Sequence, residues 1–409
     1  MNAEHDKIMR KTYSFQVCLR AIVRLGSLLI GFALVSCSDV HINSGAADSN
    51  AVVCWGDSMT AGDEGVVNQG AYPAILQSHI GHKVINEGAG GQTSTQIGVR
   101  QGGIPTYVTV DGGVIPSHGG VTVTFNRGYE PLTSPHGSTR GSILGVEGTI
   151  TLSAALPEGT FSFTRRSSGA SVPATDTPQF IPDTPYAAYL PVFWEGRNNL
   201  FKTSVGPWGP DQILSDLAAQ VKQVPQGMNY LVLSVLNENG PTERRGGSNY
   251  RTLMQLNDAL AATYREHYLD IRSILVNSYN PSLPTDVSDF ENDMPPTSLG
   301  AISAQGTLKS DIGKTDETFS VNVTTGTLRA YSNLVIDDES IHLIAIDGST
   351  VTHAIRGYGG TASSHFAGTA ATEYDGVHLN KDGDVIVAKA VAAKLATLAA
   401  SSTSMDGAP

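Results

Sequence analysis

Short apolar runs of strand length alternate with helical periodicities along this chain, and that alternation limits the possible folds more than any other feature. Ala51–Trp55 is strand-like, the stretch around Tyr72–Ile80 is helical, and His82–Asn86 is strand-like again. Far downstream, Ile213, Leu214, Leu217, Val221 and Val224 recur at helical spacing. The apolar run YLVLSVL (Tyr230–Leu236) follows, then a helix through Leu253, Leu256, Leu260 and Tyr264. Ile274–Val276 reads as a short strand, and Val387, Val391, Leu395 and Leu398 form one face of a closing helix. Strands alternating with helices imply an α/β fold, a parallel sheet covered on both faces.

Two stretches break the rhythm. From about Gln101 to Ala187 the chain is rich in Gly, Thr, Ser and Pro, with alternating runs at Tyr107–Val110, Val121–Phe125, Gly148–Leu152 and Thr160–Thr164. From about Gly300 to Thr372 the same texture returns, with runs at Phe319–Val323, Ile341–Ile346 and Val351–Ile355. Both read as antiparallel β modules inserted into the α/β chain. The core is then expected from residues 51–100, 188–299 and 373–400, with inserts at 101–187 and 300–372 and a flexible tail at 401–409.

The amino terminus reads as an export signal. Arg10, Lys11, Arg20 and Arg24 precede the apolar run Leu25–Ser36, too short to span a bilayer but suited to a signal core. The run ends Leu34-Val35-Ser36-Cys37, which resembles a bacterial lipobox. That resemblance implies a lipoprotein signal over residues 1–37, lipidation of Cys37 and a polar tether over residues 38–50. The expectation is an exported protein anchored to the cell envelope, in the outer membrane of a Gram-negative host, touching the membrane through its lipid alone.

A net charge of −12 leaves no basic face of the kind nucleic acid requires. Of three cysteines, Cys18 and Cys37 lie in the amino-terminal segment, so no disulfide framework or cysteine-based zinc site is built around Cys54, which reads as buried and inert. Neither a metal nor an organic cofactor is expected. The histidines at 79, 82, 118, 136, 342, 353 and 365 show no ligand spacing.

The chemistry gathers around Ser58, in Gly56-Asp57-Ser58 at the end of the first strand. Open α/β sheets present their ligands at such carboxyl ends. A base is available in Asp375-Gly376-Val377-His378: a carboxylate three residues from an imidazole can hold its Nδ1–H and leave Nε2 to take a serine proton. The glycine-rich stretch Asn86–Ser94 offers backbone N–H groups to a developing oxyanion, and Asn198 in Trp194–Asn199 offers a side-chain amide. Beside Asn198, Trp208 reads as packing and Arg197 as the partner of a carboxylate.

The ordered set Gly56-Asp57-Ser58, Asn86-x-Gly88-x-x-Gly91, Gly196-x-Asn198 and Asp375-x-x-His378 resembles the SGNH (GDSL-type) hydrolases. The resemblance covers roughly residues 51–100, 188–299 and 374–400. It implies a flavodoxin-like three-layer αβα sandwich with Ser58 as nucleophile, His378 as base and Asp375 orienting it. It also implies an oxyanion hole made by the N–H groups of Gly91 and Ser58 and the amide of Asn198. Pro296-Thr297-Ser298-Leu299 and Asp375-Gly376-Val377-His378-Leu379 resemble two halves of one family motif, split by the second insert. Two departures stand out: Asn199 replaces the family's aspartate, and Pro191 falls inside an expected strand.

The function this implies is a serine esterase acting on short acyl esters, foremost O-acetyl groups of a polysaccharide, through a Ser-His-Asp acyl-enzyme. Its partner is an acylated glycan or small ester, and excision of residues 300–372 is expected to spare small esters. Two alternatives stay open. Ile341–Thr369 looks like small β modules of phage tail proteins, which suggests an adhesin-like carbohydrate-binding surface lipoprotein with a vestigial triad. The other alternative is a lipase or phospholipase of the same family.

Overall fold

The computed structural model describes residues 50–62, 71–135, 137–201 and 206–405. Cys37, the export signal and the tether up to residue 49 lie outside the described residues. No helix among the described residues is long and apolar enough to cross a membrane.

Five strands make the central sheet: β1 Val52–Gly56, β2 Val84–Gly88, β3 Leu190–Trp194, β4 Leu231–Leu233 and β5 Tyr268–Leu269. Every pairing is parallel, and the order across the sheet is β2-β1-β3-β4-β5. The two-residue period of a strand sorts the side chains of β1 into separate cores. Val52 and Cys54 pack with α2 (Tyr72–Ile80), α6 (Ile271–Val276) and α8 (Lys381–Met405, the helix after α7, Pro284–Glu291) through Leu76, Leu275 and Val391. Val53 and Trp55 pack the other way, against α3 (Ser94–Gln101), α4 (Pro210–Val221) and α5 (Tyr250–Tyr264) through Ile97, Leu217 and Leu256. The strand order reverses at β1, since β2 lies on one side and β3 on the other. Such a switch point opens a crevice at the carboxyl ends of β1 and β3.

Pro191 is tolerated in β3 because of where its missing N–H points. Leu190 donates to Ala51 O on the β1 side at 2.9 Å, so position 191 faces β4. The β3–β4 ladder begins only at Val192–Leu231, so no rung is lost.

Some elements differ from the reading of the sequence. Ile274–Val276 belongs to helix α6, not to a strand. Asp270 caps that helix, accepting from Ser273 N at 3.0 Å, and the apolar run packs into the first core. The fifth strand is Tyr268–Leu269, just before the cap. The run Tyr230–Leu236 pairs only over Leu231–Leu233; beyond it the Asn257 amide takes over both backbone groups of Val235, at 2.9 Å each. The expected tail at 401–409 is helical up to Met405, and no glycine or proline interrupts α8 between Gly383 and Gly407.

Each insert is a closed six-stranded barrel. The first takes its strands from Thr106–Val110, Gly120–Phe125, Thr139–Ile143, Val146–Leu152, Phe161–Arg165 and Gln179–Pro182, around fully buried Val108, Ile143, Ile150, Phe163 and Phe180. Phe180 closes it, pairing with Thr106 on one side and Ile143 on the other. The second barrel runs through Gly300–Leu308, Phe319–Gly326, Asn333–Ile336, Glu339–Asp347, Thr350–Gly359 and Ala370–Leu379, around Ile336, Ile341, Leu343 and Val351. All these pairings are antiparallel. The last strand of the second barrel continues past residue 372 and carries both Asp375 and His378.

Candidate active site

Ser58 is the first residue of a one-turn helix, α1 (Ser58–Ala61), that starts as soon as β1 ends. Asp57 makes that turn: its Oδ1 accepts from Met59 N at 3.0 Å and caps the helix. Burial pushes the Asp57 carboxyl up to about 6, against the pull of that N–H and of His378 and Arg197. The turn is tight because a side chain at Gly56 would collide with Thr60 Oγ1 and Trp194 O, and one at Gly88 with the backbone of Ala61. Met59 and Thr60 point into the protein, which leaves Ser58 half-buried at the crevice.

His378 reaches the serine through a break in a β ladder. On the closing strand of the second barrel, Tyr374 pairs with Ile302 and Leu379 with Gly300. The partner strand advances only from Ile302 to Gly300 while this one passes through Asp375, Gly376, Val377 and His378, so those residues loop out. Asp375 Oδ1 ties the loop, accepting from Val377 N at 2.7 Å and His378 N at 2.9 Å. Asn239 N donates to Gly376 O at 2.7 Å from the core side. Asn380 then caps α8 and donates to Leu299 O, so the Ser298-Leu299 and His378-Leu379 segments, split in sequence by the barrel, lie side by side.

The geometry is that of a nucleophile, a base and an orienting carboxylate. His378 Nε2 lies 2.8 Å from Ser58 Oγ, and Asp375 Oδ2 lies 3.1 Å from His378 Nδ1. Burial pulls the Asp375 carboxyl up, but its contact with His378 and the two N–H groups outweigh that and hold it down at about 2. Asp375 is therefore ionised at neutral pH.

The turn that holds Gly91 comes close to the serine through Gly90, and Asn198 is tied to that turn through Gln92. Ala89-Gly90-Gly91-Gln92 form a turn closed by Gln92 N donating to Ala89 O, with Gly91 at φ +73°, a conformation that favours glycine. A Cβ at Gly90 would stand 4.0 Å from Ser58 Cβ. Asn198 spends one amide hydrogen on Gln92 O at 3.0 Å; an amide carries two. Asn199 is fully buried and holds the start of α3, its Oδ1 accepting from Ser94 N and its Nδ2 donating to Ser94 Oγ at 2.9 Å.

Around this centre, Arg197 pairs with Glu243 at 2.5 Å and with Glu238 at 3.0 Å, as its sequence setting suggests. Spaces against Asp57, Met59 and Val377, and against Asn239, Asp375 and His378, measure only about 10 Å³ each. A larger space of about 840 Å³ opens at the other end of the strands, against Val52, Leu190 and Leu395. The thiol of Cys54 is buried in β1 and pushed up to about 12 by that burial.

One loop whose Arg329 touches the site escapes a reading of the sequence. Arg329 of the second barrel is half-exposed and brings Nη1 to 3.6 Å from Asp375 Oδ2. Tyr331, two residues on, is 63% exposed with φ +65°. Only the barrel's topology brings that loop to the triad, so no local pattern could have found it.

No protein-family profile matches the chain. Among curated proteins, the tail spike protein of Salmonella phage epsilon15 is 24% identical over 250 residues, which is 55% of this chain and only 22% of the phage protein. Among solved structures, AlinE4, an SGNH-hydrolase family esterase, matches 54% of this chain and 75% of its own at 15% identity, with a TM-score of 0.28. A possible lipase from Chitinophaga pinensis DSM 2588 matches 85% of this chain and 98% of its own at 13% identity, with a TM-score of 0.37.

Proposed function

We propose that this protein is a serine ester hydrolase of the SGNH type, with a flavodoxin-like three-layer core and two inserted barrels. The observation that carries the reading is the line from Ser58 Oγ through His378 Nε2 and Nδ1 to Asp375, at 2.8 and 3.1 Å. In this reading Ser58 attacks the acyl carbon and gives its proton to His378. The Gly91 and Ser58 N–H groups and the Asn198 amide hold the oxyanion. Collapse of the adduct releases the alcohol, which takes the proton back from Nε2. Water, deprotonated by His378, then frees the carboxylic acid and restores the serine. No step calls for a cofactor.

The substrate we propose is a short acyl ester, foremost an O-acetyl group on a polysaccharide. The short acyl group is supported by buried Met59 and Thr60 behind the serine. The glycan is supported by Tyr331 and Arg329 on the barrel loop, an exposed ring face and a set of guanidinium donors beside Asp375. We place the protein outside the cytoplasm, held by lipid on Cys37, on the strength of the lipobox. The test compares wild type and Ser58→Ala on p-nitrophenyl acetate and on an acetylated polysaccharide. Turnover of both, lost in the variant, is expected. Equal rates for the two proteins would overturn the reading.

A second reading, favoured by the likeness to a phage tail spike, is attachment to a surface without hydrolysis. It predicts glycan binding that survives in Ser58→Ala and no Ser58-dependent release of acetate.

A further inference from the structure

We infer that the first barrel orients the Gly91 N–H, through a hydrogen bond from Thr133 to the same peptide unit. The inference rests on the proposed ester hydrolysis and adds a positioning residue to it. The Gly90 carbonyl and the Gly91 N–H belong to one planar amide and point in opposite directions. Whatever fixes the oxygen therefore fixes the direction of the N–H. Thr133 Oγ1 donates to Gly90 O at 3.1 Å.

Thr133 comes from the barrel, between the strands Gly120–Phe125 and Thr139–Ile143. It is anchored there: Leu156 N donates to Thr133 O at 3.2 Å, and the neighbouring Leu132 is buried in the barrel core. Two more bonds from the same segment grip the polypeptide after Gly91. Gln92 Nε2 donates to Pro131 O at 3.0 Å, and Gln96 Nε2 donates to Glu130 at 3.0 Å. Gln92, 1% exposed, also accepts from Arg100 Nε at 2.7 Å and, through its carbonyl, from Asn198. One buried residue thus ties the barrel, the turn and the second oxyanion amide together.

The turn needs outside support for a physical reason. Two consecutive glycines leave the backbone little restricted, and both are exposed here. Oxyanion donors act by being in place before charge develops, so a peptide free to rotate gives up part of their effect. The bond to Gly90 O also polarises the amide and makes the Gly91 N–H a better donor.

The test is Thr133→Val, which keeps the shape and removes the hydroxyl, with Thr133→Ser as the rescue. On p-nitrophenyl acetate, Thr133→Val is expected to lower kcat about tenfold with KM unchanged, less than the loss of a whole donor. Its affinity for a boronic acid that mimics the tetrahedral adduct falls by the same factor, the melting temperature stays put, and Thr133→Ser recovers most of both. Three outcomes overturn the inference while leaving the hydrolase reading intact: a wild-type kcat in Thr133→Val, a change confined to KM, or no recovery in Thr133→Ser. If Thr133→Val misfolds, Thr133→Ala takes its place under the same criteria. A wild-type protein without Ser58-dependent turnover overturns the hydrolase reading, and this inference with it.

Discussion

Ser58 Oγ and His378 Nε2 stand 2.8 Å apart although 320 positions separate them in sequence. Ser58→Ala and His378→Ala are expected to lower kcat on p-nitrophenyl acetate by about three orders of magnitude or more, with the second nearly as severe as the first. Neither side chain is fully buried, so melting temperatures should move by no more than a few degrees. Steady-state kinetics beside thermal unfolding checks both statements.

The closing strand of the second barrel carries both Asp375 and His378. That strand holds Tyr374 and Leu379 against Ile302 and Gly300, with His378 looped out between them. Replacing residues 300–372 by a short linker removes those partners. Turnover of p-nitrophenyl acetate is therefore expected to fall to the level of Ser58→Ala, the reverse of what the inserted texture of the sequence suggests. Activity on small esters at half the wild-type rate or better would show that the triad assembles without the barrel.

Glu373 gives stability a pH dependence of definite sign. It is buried two residues before Asp375; burial, with Asp375 nearby, pushes its carboxyl up to about 7 against the Arg329 N–H. The unfolded chain releases this proton near the ordinary glutamate range, while the folded chain keeps it until about pH 7. The folded state thus binds more protons between those limits, and stability falls as pH rises through them. Glu373→Gln is expected to add on the order of 2 kcal/mol at pH 8 and little at pH 4. Denaturant melts at the two pH values measure the difference.

Tyr331 and Arg329 should matter to the alcohol side of the ester more than to the acyl group. Tyr331→Ala and Arg329→Gln are expected to lower the ratio of kcat/KM on acetylated polysaccharide to kcat/KM on p-nitrophenyl acetate about fivefold or more. That size is what a lost ring contact or hydrogen bond of about 1 kcal/mol gives. An unchanged ratio in both variants would remove the loop from substrate recognition.

Cys37 lies outside the described residues, and its lipidation is tested directly. Cys37→Ala expressed in a Gram-negative host should move the protein from the membrane to the soluble fraction. Mass spectrometry of the wild type should find an acylated Cys37 at the mature amino terminus; cleavage elsewhere would refute the anchor.

Much of this was legible because periodicity and local order coincide. The α2 limits, Tyr72–Ile80, follow from Pro73 at the start and Gly81 at the end, and barrel strands such as Thr106–Val110 and Val146–Leu152 follow from strict alternation. Ser58, Asp375 and His378 stand out in the sequence because each belongs to a short motif, and the fold brings the three together. What was not legible depends on partners distant in sequence. Ile274–Val276 is as apolar as a strand, and only the Asp270 cap decides for helix. Closure of each insert into a barrel rests on pairs such as Phe180 with Ile143 and Thr106, which no local pattern reports. Arg329 and Thr133 are ordinary residues of β-rich inserts until the fold sets them against Asp375 and Gly90.

The late position of His378 in the chain has a consequence for synthesis. A ribosome builds the chain from its amino end, and the first barrel, whose strands all lie within residues 106–182, has what it needs to close early. Ser58 is made earlier still, yet it waits for a histidine on the strand just before the last helix. A product that ends between Ser58 and that strand contains the serine but neither Asp375 nor His378, so on the proposed mechanism it is chemically silent.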